Sequence, residues 1–359
     1  MVLGNHAATA AALDGFVLRS AAQGPWPVMV ADAAGATQGL LSHLSAHQAD
    51  RLIFFMATFG HRPCAVQIRT AQNTGPAMAF CLDAPGSGPW DQADWRDRFA
   101  DVFTSAAHDI MALSAQVRPQ DIAPRLTLML VRAALRLRAE APAPTTLRHH
   151  AGPDDVTIAD RRLPYAQFFA VEEFDVAWRR FDGTLNRPAP RTAFIGGDAV
   201  TVLPYDRIRD RVLVIEQFRA GPYGRGDGQA WSIEAIAGRI DPGETPEQAG
   251  RREAMEEAGL ILTDLLPVAG YYPSPGAVSE YLYSYVALTD LPDGSSGVFG
   301  LADEAEDIRG HLVSFDRLMA LVASGEINNA PLILTALWLQ RERSTLRKGG
   351  QFAHPTTPA

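Results

Sequence analysis

Three glutamates carry the densest chemical information in this 359-residue chain: Glu253, Glu256 and Glu257. They stand at i, i+3 and i+4 in the stretch Thr245–Ala258, which reads as a helix with Thr245 as N-cap and Pro246 at its first position. At that spacing the side chains converge on adjacent turns. Three carboxylates so close repel one another. A hard divalent cation resolves the repulsion, because it takes carboxylate and phosphate oxygens together. An isolated ExxEE would be no more than a solvated acidic helix face, so the flanking residues decide. Gly238 suits a tight strand end with close backbone approach, Gly259 suits a helix C-cap, and Arg252 offsets the negative charge within the same turn.

Such a cluster needs strands and loops to aim it. The second half supplies strand-like text in DAVTVLPYD, RVLVIEQFRA, WSIEAIAG, LLPVAGYY and YLYSYVALT, with a second helix at Ala330–Arg343. Strands outnumber helices there, so the helices are expected to cover a mixed sheet. The first half reads as α+β: short alternating runs (GFVLR, PVMVA, TQGLL, AVQIR), then helices at Gln92–Ser114 and Pro119–Glu140. The second of these carries Arg125, Arg132, Arg136 and Arg138, and is read as packed on its own domain rather than lying on a membrane. Between the halves, Ala139–Pro153 (AEAPAPTTLRHHAGP) is poor in large apolar residues and reads as a linker. The expected division is a first domain at 1–140, a linker at 141–154, a second domain at 155–345 and a tail at 346–359.

Composition narrows the function classes. Apolar residues at 47% and charged residues at 20% are globular values. A net charge of −9 speaks against a broad basic surface for nucleic acid, while a small phosphorylated substrate stays open because a bound cation inverts the local charge. Cys64 and Cys81 lie in apolar, strand-like text and are read as buried thiols in a reducing compartment. No charged-then-apolar leader and no run of about 18 apolar residues is seen. A soluble, cytoplasmic protein with no membrane partner is therefore expected.

Residues 238–260, GRIDPGETPEQAGRREAMEEAGL, resemble the complete Nudix box. Gly238, Glu244, Arg252, Glu253, Glu256, Glu257 and Gly259 fill its seven fixed places, Leu260 its closing apolar position, and Ala254 stands where a larger apolar residue is common. At roughly 6–7% usage per residue type, a chance match is on the order of one in a million. The resemblance implies an α/β/α sandwich with a mixed sheet and hydrolysis of a nucleoside diphosphate linked to a second group. It further implies two to three Mg²⁺ or Mn²⁺ ions on Glu253, Glu256, Glu257 and the backbone carbonyl of Ala237. Glu253 and Glu257 thereby belong to the catalytic set, and Glu244 orients the loop and the arginine.

From about Val156 to Leu339 the text is similar to the ADP-ribose pyrophosphatase branch of that family. VLVIEQFRAGPY places Arg219, and WSIEAIAGRI places Glu234, where substrate is held. Pro275, sixteen residues past Gly259 in the Pro273–Gly276 loop, matches the branch's marker proline, and Glu280 resembles a substrate-contacting glutamate. GLADEAEDIRGHLVSFDRL implies a mobile acidic loop with Glu304 as base and Glu306 as metal ligand, Glu306 being the rival for the base. The implied products are AMP and ribose 5-phosphate. The segment Val156–Phe181 resembles a part exchanged between subunits, implying a homodimer through the Nudix domain. Another nucleoside diphosphate-linked substrate, or a non-catalytic ADP-ribose sensor, are the competing readings.

Ala11–Met111 resembles the γ-glutamylcyclotransferase-like fold in LDGFVLR, PWPVMV, QGLLSHLSAHQADRLIFFMATFG and HDIM, so a small barrel domain is expected. Two departures imply that it is inactive. The chain starts too late for that fold's Tyr-Gly loop, and Met56 or a close neighbour stands where its acid/base glutamate belongs. Fusion of the two domains resembles Nudix proteins linked to tellurite resistance, although no tellurite chemistry is visible in the residues.

Overall fold

The structure is a computed structural model that describes residues 2–4, 6–167, 169–300 and 307–349. Two compact units divide it: Met1–Pro142 with Tyr165–Ala170, and Ala143–Pro164 with Val171–Ala359.

In the first unit the order is β1 (Ala8–Ala21), β2 (Pro27–Ser42), α1 (Ala46–Thr58), β3 (Arg62–Thr70), β4 (Thr74–Cys81), β5 (Gly86–Pro89), α2 (Gln92–Ala112), α3 (Pro119–Ile122) and α4 (Leu126–Ala139). PVMVA and TQGLL fall in one long strand, β2, which pairs with β1 along nearly its whole length; the register shifts at Gly15, whose φ is +82°. Hydrogen bonding runs β2-β1-β3-β4, with β5 on β1. Among the described residues no strand pairing joins β4 back to β2, so closure into the expected barrel is not seen. The helix expected over Pro119–Glu140 is broken by a 3₁₀ turn at Ala123–Arg125. Pro124 lies in that turn, and proline has no N–H to continue a helix. The core of the unit packs Phe59, Val102, Ala106 and Ile110 against Ile122, Leu126, Met129, Leu130 and Ala133. Arg136 does not face outward as a free cation: its Nη1 donates to Asp109 Oδ2 at 2.8 Å.

The two cysteines correct the sequence expectation. Cys64 and Cys81 are not buried thiols; they are half-buried and joined in a disulfide with a Cα–Cα distance of 6.1 Å. The antiparallel register explains it. Cys64 pairs with Ala79 and Arg62 with Cys81, so the two cysteines sit diagonally on one face of neighbouring strands, within disulfide span. The bond also removes the thiol-based argument for a reducing compartment.

The second unit contains β6 (Val156–Ala166), β7 (Ala170–Trp178), β8 (Ala189–Ile195), β9 (Ala199–Asp206), β10 (Arg211–Phe218), α5 (Ala220–Arg225), β11 (Trp231–Glu234), β12 (Ile236–Arg239), α6 (Pro246–Ala258), β13 (Asp264–Tyr271), β14 (Leu282–Leu288), β15 (Val298–Phe299), β16 (Ile308–Ser314), α7 (Phe315–Ser324) and α8 (Ala330–Arg347). Strands β6-β7-β8 form a small sheet. The main sheet runs β13-β14-β9-β10-β16-β15, parallel between β14 and β9 and antiparallel in its other pairs. WSIEAIAG splits at Ala235: β11 pairs with β10, whereas β12 crosses to pair with β9.

Alternation along β9 and β10 sorts the core into two layers. Leu203, Tyr205, Val212 and Val214 meet α7 and α8 on one face. Val200, Val202, Leu213 and Ile215 meet Ala249, Ala254 and Ala258 of α6 on the other. The result is the expected α/β/α arrangement. Helix α7, absent from the sequence reading, begins at once after β16 under the Ser314 cap, whose Oγ accepts from Arg317 N. No helix among the described residues is long and apolar enough to cross a membrane.

The disulfide gives a direct test. Thiol titration of the denatured, unreduced protein should find no free thiol, and two after reduction. Reduction should destabilise the first unit by about 3 kcal/mol, the loop-closure value for a crosslink of this length, read as a lower unfolding midpoint. Two thiols before reduction would contradict the bond.

Candidate active site

Local sequence fixes both ends of α6. Thr245 Oγ1 accepts from Gln248 N at 3.2 Å, and Gln248 Oε1 accepts from Thr245 N at 2.9 Å, a reciprocal capping box with Pro246 at the first turn. Gly259 closes the helix at φ +63°, a conformation that costs other residues about 1 kcal/mol or more. The helix lies close on the sheet because Gly250 has no side chain: a Cβ there would come 2.9 Å from Val202 Cγ2. Gly238 is constrained more tightly still, since a Cβ would stand 1.9 Å from the carboxyl carbon of Glu253. The strand end is thus a cradle already filled by that carboxylate.

Arg252 organises the cluster. Its Nε donates to Glu244 Oε1 and its Nη2 to Glu244 Oε2, both at 3.0 Å. Nη2 also donates to the Arg239 carbonyl at 2.9 Å, and Nη1 reaches Glu253 Oε1 at 2.6 Å and Glu256 Oε2 at 3.0 Å. One planar guanidinium thereby joins the loop, the strand end and the helix. Its pKa is driven up, first by the hydrogen bonds to Glu244 and then by Glu253, against the opposing effect of burial. Glu244 also accepts from Asp241 N at 3.2 Å, which closes the loop before the helix.

Glu257, 2% exposed, accepts at Oε2 from the Ala237 N–H at 3.0 Å. Both groups named for metal binding are therefore adjacent, although the described contact uses the amide of Ala237 rather than its carbonyl. Among the described residues no three His, Cys, Asp or Glu side chains converge as a preformed metal cluster. Arg252 Nη1 instead bonds both Glu253 and Glu256. The donor set nevertheless suits a hard divalent cation: anionic oxygens, one of them almost fully buried on the helix face beside the strand end. Glu304 and Glu306, named as base and metal ligand, lie outside the described residues.

A second charged group is linked to this one through Arg239, whose charge acts on Glu280. Arg219, just past β10, makes a bidentate pair with buried Glu234 of β11, Nε–Oε1 3.1 Å and Nη2–Oε2 2.8 Å. Glu280 feels the charges of Arg239, Asp198 and Arg219; its carboxyl is pushed up, chiefly by burial and also by Asp198, while the two arginines oppose the shift. Pro275 is exposed in a turn where Ser274 O accepts from Ala277 N and Val278 N. That loop is tied to the end of β8 by Phe194 N to Ala277 O at 2.8 Å and Ser279 N to Phe194 O at 3.0 Å.

Sequence reading passed over Asp198, Arg239 and Asp241. Asp198 is 3% exposed. The Asp241 carboxyl is raised by burial above all and by Glu244 and Glu256, with Arg252 and Arg239 opposing. Arg239 is lowered, burial again being the main cause. No spacing rule marks these three residues; only the approach of the β12 end to the Glu280 loop brings their charges together.

The comparisons with known proteins concern this unit. A family model described as the NUDIX domain matches residues 197–335. The ADP-ribose pyrophosphatase of Escherichia coli (strain K12) is 39% identical over 196 residues, 55% of this chain and 93% of that protein. The ADP-ribose pyrophosphatase of Haemophilus influenzae is 29% identical over 201 residues, 55% of this chain and 92% of that protein. A GDP-mannose pyrophosphatase of Salmonella paratyphi A is 28% identical over 185 residues, 52% of this chain and 95% of that protein. A solved ADP compounds hydrolase aligns at 21% identity and a TM-score of 0.40, covering 54% of this chain and 98% of that one.

The raised Glu280 pKa has a sign that can be measured. Ionisation is less favourable in the folded state, so stability tied to the protonated form is lost as pH rises through the folded value. Glu280→Gln should be close to neutral near pH 4, about the unperturbed carboxyl value, and should melt above wild type at pH 8. A melting temperature lower than wild type at pH 8 would contradict the burial account.

Proposed function

The chain belongs to the Nudix hydrolase family, and from that premise we propose that it hydrolyses the pyrophosphate of ADP-ribose to AMP and ribose 5-phosphate. The observation that carries the reading is the Arg252-centred carboxylate cluster with Glu257 buried beside Ala237, in a chain 39% identical to an ADP-ribose pyrophosphatase over 93% of that protein's length.

Glu253, Glu256 and Glu257, with the Ala237 backbone, would hold Mg²⁺ or Mn²⁺, two to three ions in all. When bound, the cations supply charge neutralisation on the diphosphate and a more acidic water. The protein's own part is to keep the carboxylates in place. Glu244 and the Arg239 carbonyl fix Arg252, and Arg252 fixes the helix face on which Glu253 and Glu256 stand. In this reading Arg219, which pairs with Glu234, and Glu280 would contact the substrate, with Pro275 stiffening the loop that leads to Glu280. Water adds to one phosphorus as the bridging P–O bond breaks. Its proton passes to a carboxylate, Glu304 in this reading with Glu306 as the rival.

A second substrate class has specific support, since one relative is named a GDP-mannose pyrophosphatase. An ADP-ribose sensor without catalysis fits less well, because every charged place of the box is filled and engaged. Residues 1–140 are read as a catalytically inactive domain. Homodimerisation finds support along β6, the edge of its sheet, where Val156, Ile158 and Leu163 are 56%, 52% and 41% exposed.

AMP release from ADP-ribose should require a divalent cation and should fall on the order of 100-fold or more in Glu257→Gln. GDP-mannose turned over faster than ADP-ribose would move the assignment to the second class. Sedimentation should show a dimer that Ile158→Asp shifts toward monomer; a wild-type monomer at high concentration would remove the dimer from the reading.

A further inference from the structure

Strand β10 carries Leu213 and Ile215 into the core beneath α6, and by alternation Gln217 continues the same face. Gln217 pairs across the ladder with Ser232, and Ile215 with Glu234, so Ser232 and Glu234 share that face. Arg219, two residues on, reaches Glu234. Gln217 therefore stands on β10 between Ile215 of the apolar floor and Arg219, opposite Ser232, with Glu234 across the ladder from Ile215. It is 7% exposed, and its Nε2 is buried with no hydrogen-bond partner among the described residues.

An amide N–H left without an acceptor in such a place costs about 1–3 kcal/mol. Leucine would fill the same volume and continue the apolar stripe without that cost. A donor kept there suits an acceptor that arrives with the ligand. Nε2 can only donate, and a phosphate oxygen can only accept, with the Arg219 guanidinium on the same side. We infer that Gln217 is a substrate-positioning residue whose side-chain N–H donates to a phosphate oxygen of the bound nucleoside diphosphate. The inference rests on the hydrolase reading for its substrate class, but not on ADP-ribose being the preferred member.

The experiment compares wild type, Gln217→Leu and Gln217→Glu with Mg²⁺ present, in three measurements: thermal unfolding of the free protein, steady-state kinetics on ADP-ribose, and calorimetric binding of ADP. Gln217→Leu should melt no lower than wild type, yet lose about tenfold in kcat/KM and in ADP affinity, the value of one hydrogen bond to a charged group. Gln217→Glu should lose more than Gln217→Leu, because a carboxylate facing phosphate repels it. Unchanged ADP binding in Gln217→Leu overturns the inference, as does an activity loss that follows a lowered melting temperature. A change confined to the Mg²⁺ concentration required overturns it too, since the amide would then serve the box carboxylates. Wild type that binds ADP but leaves ADP-ribose intact would sink the substrate reading alone, and the ADP arm would still decide Gln217.

Discussion

Arg252 sits among carboxylates that would otherwise repel one another and the helix that bears them. Its five donors are spent on Glu244, Glu253, Glu256 and the Arg239 carbonyl, groups that come from a loop, a helix and a strand end. A lysine ammonium is a point charge and could not span that set; the planar fork can. The arrangement holds the acidic face of α6 at a fixed height over β12. It also pairs two of the three glutamates with one positive charge.

Close approach is the second constraint, and it works through missing atoms. Gly250 lets α6 settle on Val202, and Gly238 lets the Glu253 carboxylate occupy the space of a side chain. The capping box and the left-handed Gly259 then set where the helix starts and stops, so the glutamates are fixed along the helix axis as well as around it. Together these features hold a short acidic helix, which alone would be a solvated surface, in a fixed place against the sheet.

The splay of β11 and β12 at Ala235 serves two contacts at once. Because β11 stays with β10 while β12 joins β9, Glu234 is delivered to Arg219 and Ala237 to Glu257 from the same eight-residue stretch, WSIEAIAG. Burial then shapes the electrostatics: the carboxyls of Glu280 and Asp241 are raised and Arg239 is lowered, each mainly by removal from water. Groups so desolvated respond strongly to an arriving anion or cation, which suits a binding site for a charged diphosphate.

Much of this could be read from residues in order. Helix α6, its caps and the convergence of Glu253, Glu256 and Glu257 follow from 3.6-residue periodicity and local capping chemistry, which act within a few positions. The strands β9, β10 and β14 are equally legible, since buried β-rich runs carry their own signal. Long-range pairing is what the order of residues leaves open. The disulfide was missed because only the β3–β4 register brings Cys64 diagonal to Cys81, and barrel closure was not legible because it depends on which strands meet. Asp198, Arg239 and Asp241 join the site, and Gln217 acquires a buried, unpartnered amide, only once the sheet and the loops enclose them. Local residue types determined which groups could do chemistry. Tertiary packing decided which are withdrawn from water and which charges face one another, because desolvation and Coulomb interaction depend on distance in space rather than along the chain.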